Sequence, residues 1–248
     1  MRGRQPLGRT GGRPGWGGGG DLAGPGQGEG VVRELILASA SPRRRELLRM
    51  LGVPFRVVES GVEEEGASGD PVAHVLSLSQ RKASAVAGKI GEGFVVGVDT
   101  VVVLDREILG KPSGPEEARA ILGKLSGRVH RVYSGVTVTR AEDGKVLSDY
   151  RCTEVRMRRM SPGEIDAYVA TGEPLDKAGA YAIQGKGALL VEEIRGCFYN
   201  VVGLPLCALM DILAKMGWKC LEEVLKLAYL DNKKGLSHLQ DVLRSFPP

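Results

Sequence analysis

The chain has 248 residues, 42% of them apolar, and its 34 basic and 30 acidic side chains leave a net charge of +4. That length and apolar share suit one large α/β domain, or two small ones, with a real core. The charge is too mild, and an aromatic content of 5% too low, for a nucleic-acid surface; no run approaches the ~20 apolar residues of a membrane span, so neither nucleic acid nor membrane is expected as a partner.

Residues 1–31 are rich in Gly, Pro and Arg, with Gly17 to Gly20 in a row. Such a segment cannot bury enough surface to order itself. It also lacks the apolar stretch of a secretory signal, and a disordered extension is expected. The globular domain is expected over 32–218.

It begins with Leu35-Ile36-Leu37-Ala38, a short apolar run of the kind a buried strand uses. Ser41 suits a helix N-cap and Pro42 the first helical position, and Leu47, Leu48 and Leu51 recur at helical spacing. The free N–H groups and positive dipole end of such a helix would form an anion site at this strand-to-helix corner. Arg43 and Arg44 in its first turn oppose the dipole, so helix stability does not explain them. A negatively charged ligand does; the plainer alternative is an arginine-rich surface helix.

Phe55–Val58 reads as a second strand, followed by acidic Glu63, Glu64 and Glu65. Residues 71–86 carry Val72, Val75, Leu76, Ser79, Ala83 and Val86 at helical spacing, and 94–104 form a β-branched run interrupted by Asp99 and Thr100. Gly114-Pro115 opens a helix with Ala118, Ile121, Leu122 and Leu125 in one stripe. Two strands, 129–139 and 145–157, are joined through Asp143-Gly144, a hairpin signal. Ser161-Pro162-Gly163-Glu164 is a capping box for a helix closing at Gly172, and 204–216 is a last core helix. Residues 219–248 add an amphipathic, peripheral extension. Strands interleaved with helices, plus a hairpin, predict an α/β fold with a mixed twisted sheet and flanking helices.

Asp99 lies inside the most apolar run of the protein, where an unpaired buried carboxylate would cost several kcal/mol. It must reach solvent, a cation or a metal, and a pocket carboxylate is the expectation. A loop could place Glu64 opposite it. Two carboxylates and a triphosphate would make a hard-oxygen site for magnesium or manganese, although spacing does not choose Glu64 over Glu63 or Glu65. A lone lysine such as Lys82 on a helix is usually solvated. Lys111, fixed between Gly110 and Pro112, has the restricted freedom that phosphate clamps need. In the block 172–185, Gly179 and Gly185 suit a turn hugging a ligand, Lys177 offers a cation, and Gln184 offers a paired donor and acceptor for a base edge.

Cys152, Cys197, Cys207 and Cys220 show neither a CxxC pair nor zinc spacing. They read as small buried or incidental thiols of a reducing compartment, which places the chain in the cytoplasm. His74, His130 and His238 are scattered and give little support to a histidine metal cage or triad.

In order, the chain carries LASASPRR at 37–44, VDTVV at 98–102, GKP at 110–112, SGRVHRVYSGV at 126–136, GEPLDKAGAYAIQG at 172–185 and NVVGLP at 200–205. Together these blocks resemble the Maf (septum-formation) family of nucleoside-triphosphate pyrophosphatases, over about residues 34–218. The resemblance implies an inosine-triphosphatase-like fold with two lobes around a central cleft, often a homodimer. It implies hydrolysis of the α–β phosphoanhydride of a nucleotide with a divalent metal, magnesium or manganese. By position Asp99 matches the family's catalytic acid-base, and Ser39, Arg43, Arg44, Glu64, Lys82, Lys111 and Lys177 its polar cleft set. Glu64 and Asp99 are the implied metal ligands. Arg43, Thr100 and Gln184 match positions tied to substrate choice in the dTTP/UTP branch; the branch preferring 7-methyl-GTP typically has glutamine after the aspartate. Ala182 departs from the glycine common in that block. The alternatives are a 7-methyl-GTP or inosine-type pyrophosphatase, and a nucleotide-sensing regulator of septation that acts by binding.

Overall fold

The computed structural model describes residues 34–64 and 69–218; the extensions expected at 1–31 and 219–248 lie outside the described residues. In chain order the elements are β1 (Leu35–Leu37), α1 (Pro42–Met50), β2 (Phe55–Val57), α2 (Pro71–Ala87), β3 (Phe94–Leu104), β4 (Glu107–Leu109), α3 (Pro115–Leu125), β5 (Val129–Arg140), β6 (Val146–Met157), α4 (Pro162–Val169), β7 (Val191–Arg195), α5 (Phe198–Val202) and α6 (Leu206–Lys215). Short 3-10 turns at Glu173–Asp176, Ala178–Ala180 and Lys186–Leu190 connect α4 to β7.

The seven strands form one sheet in the order β2-β1-β3-β5-β6-β7, with β4 attached to β3. β1 is parallel to β2 and β3, and the remaining pairs are antiparallel. The expected mixed sheet with flanking helices is therefore present. β5 covers one edge of β3 from Phe94 to Val103. The other edge is shared: β1 pairs with Phe94–Val96, and β4 with Val102–Leu104. Between them, residues 97–101 have no strand neighbour on that side among the described residues. Asp99 and Thr100 sit in this gap.

Alternation along β3 assigns its two faces. Val96, Val98 and Val102 belong to two apolar clusters. One is built with α1 and α6 (Leu47, Leu48, Leu209, Leu213), the other with α3 and α4 (Ala118, Leu122, Leu125, Val169). Val95, Val101 and Val103 face the opposite way and pack against α2 through Ala83, Val86 and Val75. Gly97 and Gly135 make this second packing possible. A Cβ at Gly97 would lie 2.1 Å from the Ser79 carbonyl oxygen, and one at Gly135 2.4 Å from that of Val75. The backbone of α2 thus lies directly on the sheet, which puts its polar side chains within reach of Asp99.

The four apolar residues expected to face the core from α3 are its four buried residues, and the capping box at Ser161 and Glu164 is complete. Other local expectations need correcting. The helix after Ser161 ends at Val169, and Gly172 (φ +75°) starts the following 3-10 turn instead of closing the helix. The segment from 172 onward consists of 3-10 turns, and α5, β4 and β7 are additional elements. Ser41 occupies the N-cap of α1, but its side chain makes no cap bond. Cys152 and Cys207 are exposed and Cys197 is half-buried; Cys220 lies outside the described residues. No helix among the described residues is long and apolar enough to cross a membrane.

Candidate active site

A cleft of about 480 Å³ opens at the gap in the sheet, within the ~300–1,000 Å³ usual for small-molecule sites. Its lining includes Ser39, Arg43, Arg44, Glu64, Lys82, Asp99, Thr100, Lys111, Lys177 and Gln184. All ten residues singled out from the sequence therefore meet in one cavity.

Its floor is an ionic chain. Lys82, reaching up from α2, is buried to 4% exposure, and Asp99 in β3 to 5%. Lys82 Nζ donates to Asp99 Oδ1 at 2.9 Å and to Glu64 Oε1 at 2.7 Å, and approaches the Val98 carbonyl at 3.5 Å. Lys111 Nζ, on the more exposed rim, donates to Glu64 Oε2 at 3.0 Å. Lys82 departs from the solvated state usual for a lone helix lysine and lies in the cleft lining, where the resemblance puts it. Its ammonium is what permits a carboxylate inside an apolar strand. Burial raises the pKa of Glu64, but the two lysines outweigh it and hold the carboxyl at about 2, so it is ionised at neutral pH.

The wall beside this chain is the start of α1. The first intrahelical N–H bond is from Arg45 to the Ser41 carbonyl; the N–H groups of Arg43 and Arg44 precede it and are available to an anion. Arg44 is fixed by three bonds: Nε to the Gly203 carbonyl at 2.9 Å, Nη1 to Ser39 Oγ at 3.2 Å and Nη2 to Thr100 Oγ1 at 3.2 Å. Burial lowers its pKa, while Asp99 and Glu64 pull it back up. The Thr100 hydroxyl also contacts Ser134 Oγ at 2.8 Å, which in turn donates to the Asn200 carbonyl. Thr100 thus lines the cleft and also helps hold the Arg44 guanidinium in place. The Ser39 oxygen accepts from Ser41 N and from Arg44, leaving its hydroxyl hydrogen for a ligand.

Across the cleft, Arg43 Nη1 stands 3.9 Å from Asp176 Oδ2, and Lys177 also pairs with Asp176. Gln184 is exposed, and its amide carries no hydrogen bond to another described residue. Gly179 and Gly185 are not among the residues lining the cleft, and their close approach is to protein groups. A Cβ at Gly179 would strike Val102 at 2.9 Å, and one at Gly185 the Glu173 carboxylate at 2.4 Å. Their smallness serves packing behind the cleft.

The sequence reading missed His74. One helical turn into α2, its Nε2 lies 3.7 Å from Asp99 Oδ2, so this histidine is scattered in sequence only. Asp176, Ser134 and Asn200 were also missed. An acid adjacent to Lys177 was the one available hint; nothing local marks the other two.

Among the described residues no three His, Cys, Asp or Glu side chains are grouped to hold a metal by themselves. Magnesium usually takes one or two carboxylates and completes its shell with substrate phosphates and water. Glu64 and Asp99 are the two carboxylates available for such a shell, and in this structure the Lys82 ammonium, bonded to both, lies between them.

A sequence profile of the Maf-like protein family matches residues 34–216. The chain belongs to that family. Relatives of the Maf-like chain include the dTTP/UTP pyrophosphatase of Dictyoglomus thermophilum, 51% identical over 193 residues, covering 77% of this chain and 100% of that protein. The dTTP/UTP pyrophosphatase of Bacillus cereus is 51% identical over 180 residues, covering 72% of this chain and 93% of that protein. The Staphylococcus aureus Ham1 protein aligns in structure with a TM-score of 0.38 at 14% identity, over 50% of this chain and 72% of that one.

Proposed function

We propose that this Maf-like chain hydrolyses dTTP and UTP to the nucleoside monophosphate and pyrophosphate. One observation carries the reading: a buried carboxylate, Asp99, faces a cleft whose other charged groups are mostly cations. Relatives at about half identity over most of the chain are named dTTP/UTP pyrophosphatases, which supports it.

In this reading the triphosphate lies along the start of α1, with Arg44, Lys82 and Lys111 neutralising its charge and Ser39 donating a hydrogen bond. Phosphate oxygens compete with Glu64 for the two lysines, which frees carboxylate oxygens as the substrate enters. A magnesium or manganese ion held by Glu64 and Asp99 would supply further neutralisation of the phosphates. Asp99 takes the proton of a water whose oxygen attacks the α-phosphorus; the bond to the bridging oxygen breaks and pyrophosphate leaves. Phosphoryl transfer needs mainly positioning and charge stabilisation, which these groups offer. Gln184, an exposed amide in the cleft lining, meets the base, and Arg43, in the first turn of α1, stands between the base and the phosphates.

The test is a panel of dTTP, UTP, CTP, dATP, dGTP, ITP and 7-methyl-GTP with products separated. dTTP and UTP should be cleaved fastest, each yielding a monophosphate and pyrophosphate. Equal rates across the panel, or release of orthophosphate, would contradict the proposal.

A further inference from the structure

Glu173 and Tyr168 are absent from the lining of the cleft, yet the segment carrying Gln184 is built around them. The Tyr168 hydroxyl donates to Glu173 Oε1 at 2.9 Å and accepts the Ala182 N–H at 3.1 Å. Glu173 in turn accepts the N–H of Lys186 on Oε2 at 3.0 Å and that of Gly187 on Oε1 at 2.9 Å. Gln184 is thus pinned from both sides, two residues before it and two and three residues after it. Its own side chain is left free for the cleft.

The glycines give independent support. A Cβ at Gly185 would overlap the Glu173 carboxylate at 2.4 Å, and one at Gly187 would meet the Tyr168 hydroxyl and the Ala182 carbonyl, both at 2.6 Å. The turn closes onto these two polar groups because nothing larger than hydrogen stands between. Partial burial pushes the Glu173 carboxyl up, but the N–H donors of Gly187 and Lys186 and the Tyr168 hydroxyl outweigh it and keep it ionised. Bonds to an ionised acceptor are the stronger kind.

We infer that Glu173, with Tyr168 behind it, is a positioning residue for base recognition: its carboxylate holds the turn that presents Gln184 to the nucleobase. This rests on the proposed pyrophosphatase reading and adds a division of labour. The phosphate half of the cleft (Arg44 on α1, Lys82 on α2, Lys111 in the loop after β4) shares no bond with Glu173. Disturbing Glu173 should weaken contacts to the base and spare those to pyrophosphate.

Product inhibition separates the two halves. With wild-type protein, dTMP and pyrophosphate are each titrated as inhibitors of dTTP hydrolysis, then again with Glu173→Gln. An amide can accept only through its oxygen and turns an N–H₂ toward one of the donors it must satisfy. The inhibition constant for dTMP should rise roughly tenfold, as expected for losing a charge-assisted hydrogen bond, while that for pyrophosphate stays within about twofold. The preference for dTTP over dGTP should fall in parallel. Equal weakening of both inhibitors, or no change in either, overturns the inference. Should Glu173→Gln fail to fold, Tyr168→Phe keeps the ring in the core and gives the same comparison. Wild-type protein that neither hydrolyses dTTP nor binds either product defeats the underlying proposal instead, a distinct outcome.

Discussion

Lys82 Nζ lies 2.9 Å from Asp99 Oδ1, and both side chains are almost inaccessible to solvent. The same ammonium holds Glu64 at 2.7 Å, so a single helix-borne cation joins an acid from the central strand to one from the loop after β2. Charge placed in the middle of a sheet survives because the gap between β1 and β4 exposes it to the cleft and α2 supplies its counter-ion.

Removing the counter-ion tests that relationship. Lys82→Met should destabilise the fold by ~3–5 kcal/mol, the usual cost of stranding a buried charge. Adding Asp99→Asn should restore most of that stability without restoring activity. Urea denaturation of the single and double variants measures it; a Lys82→Met protein as stable as wild type would mean that Asp99 is charged without Lys82's help.

Glycine-to-alanine substitutions should have opposite signs at two sites. Gly97→Ala drives a Cβ into the backbone of α2 and should cost at least ~1–3 kcal/mol, as overpacking does. It should also lower turnover, because α2 carries Lys82 and His74. Gly123, in the interior of α3, has nothing within 4 Å of its would-be Cβ, and Gly123→Ala should stabilise by ~1 kcal/mol through helix propensity. Denaturation midpoints decide both.

These two glycines show what was legible in the sequence. The helical stripe of α3 and the apolar run of β3 were readable because periodicity records which face is buried. Asp99 was readable because a charge within such a run violates the pattern. Gly97 was not, since its reason is the backbone of a helix distant in sequence. His74 was obscure for the same cause, and Lys82 was legible only through the family resemblance: nothing in a helix's own spacing tells what its polar side chains meet across a sheet. The 3-10 turns after Gly172 lack periodicity altogether, so their residues were recognisable as a block but not as a shape. Gly179 and Gly185 were correctly singled out for close approach, though to Val102 and Glu173.

His130 should make stability depend on pH. It is buried beside Tyr181, with Nε2 2.8 Å from the hydroxyl, and burial lowers its pKa from 6.5 to about 4. Between those values the unfolded chain binds a proton that the folded protein refuses. Stability should therefore fall as pH drops from 6.5 towards 4, by up to ~3 kcal/mol from this group, with no contribution to the slope above that window. In His130→Gln the slope across the window should flatten. Unfolding free energies at intervals of half a pH unit would show it, and identical slopes for the two proteins would remove His130 as the cause.

The role of Asp99 is tested most directly by Asp99→Asn, assayed for pyrophosphate release from dTTP alongside equilibrium binding of dTTP. A general base typically contributes ~10²–10⁴-fold, so turnover should drop by that factor while the folded variant still binds the nucleotide. Release of pyrophosphate at the wild-type rate would contradict the assignment of Asp99 as the group that activates water.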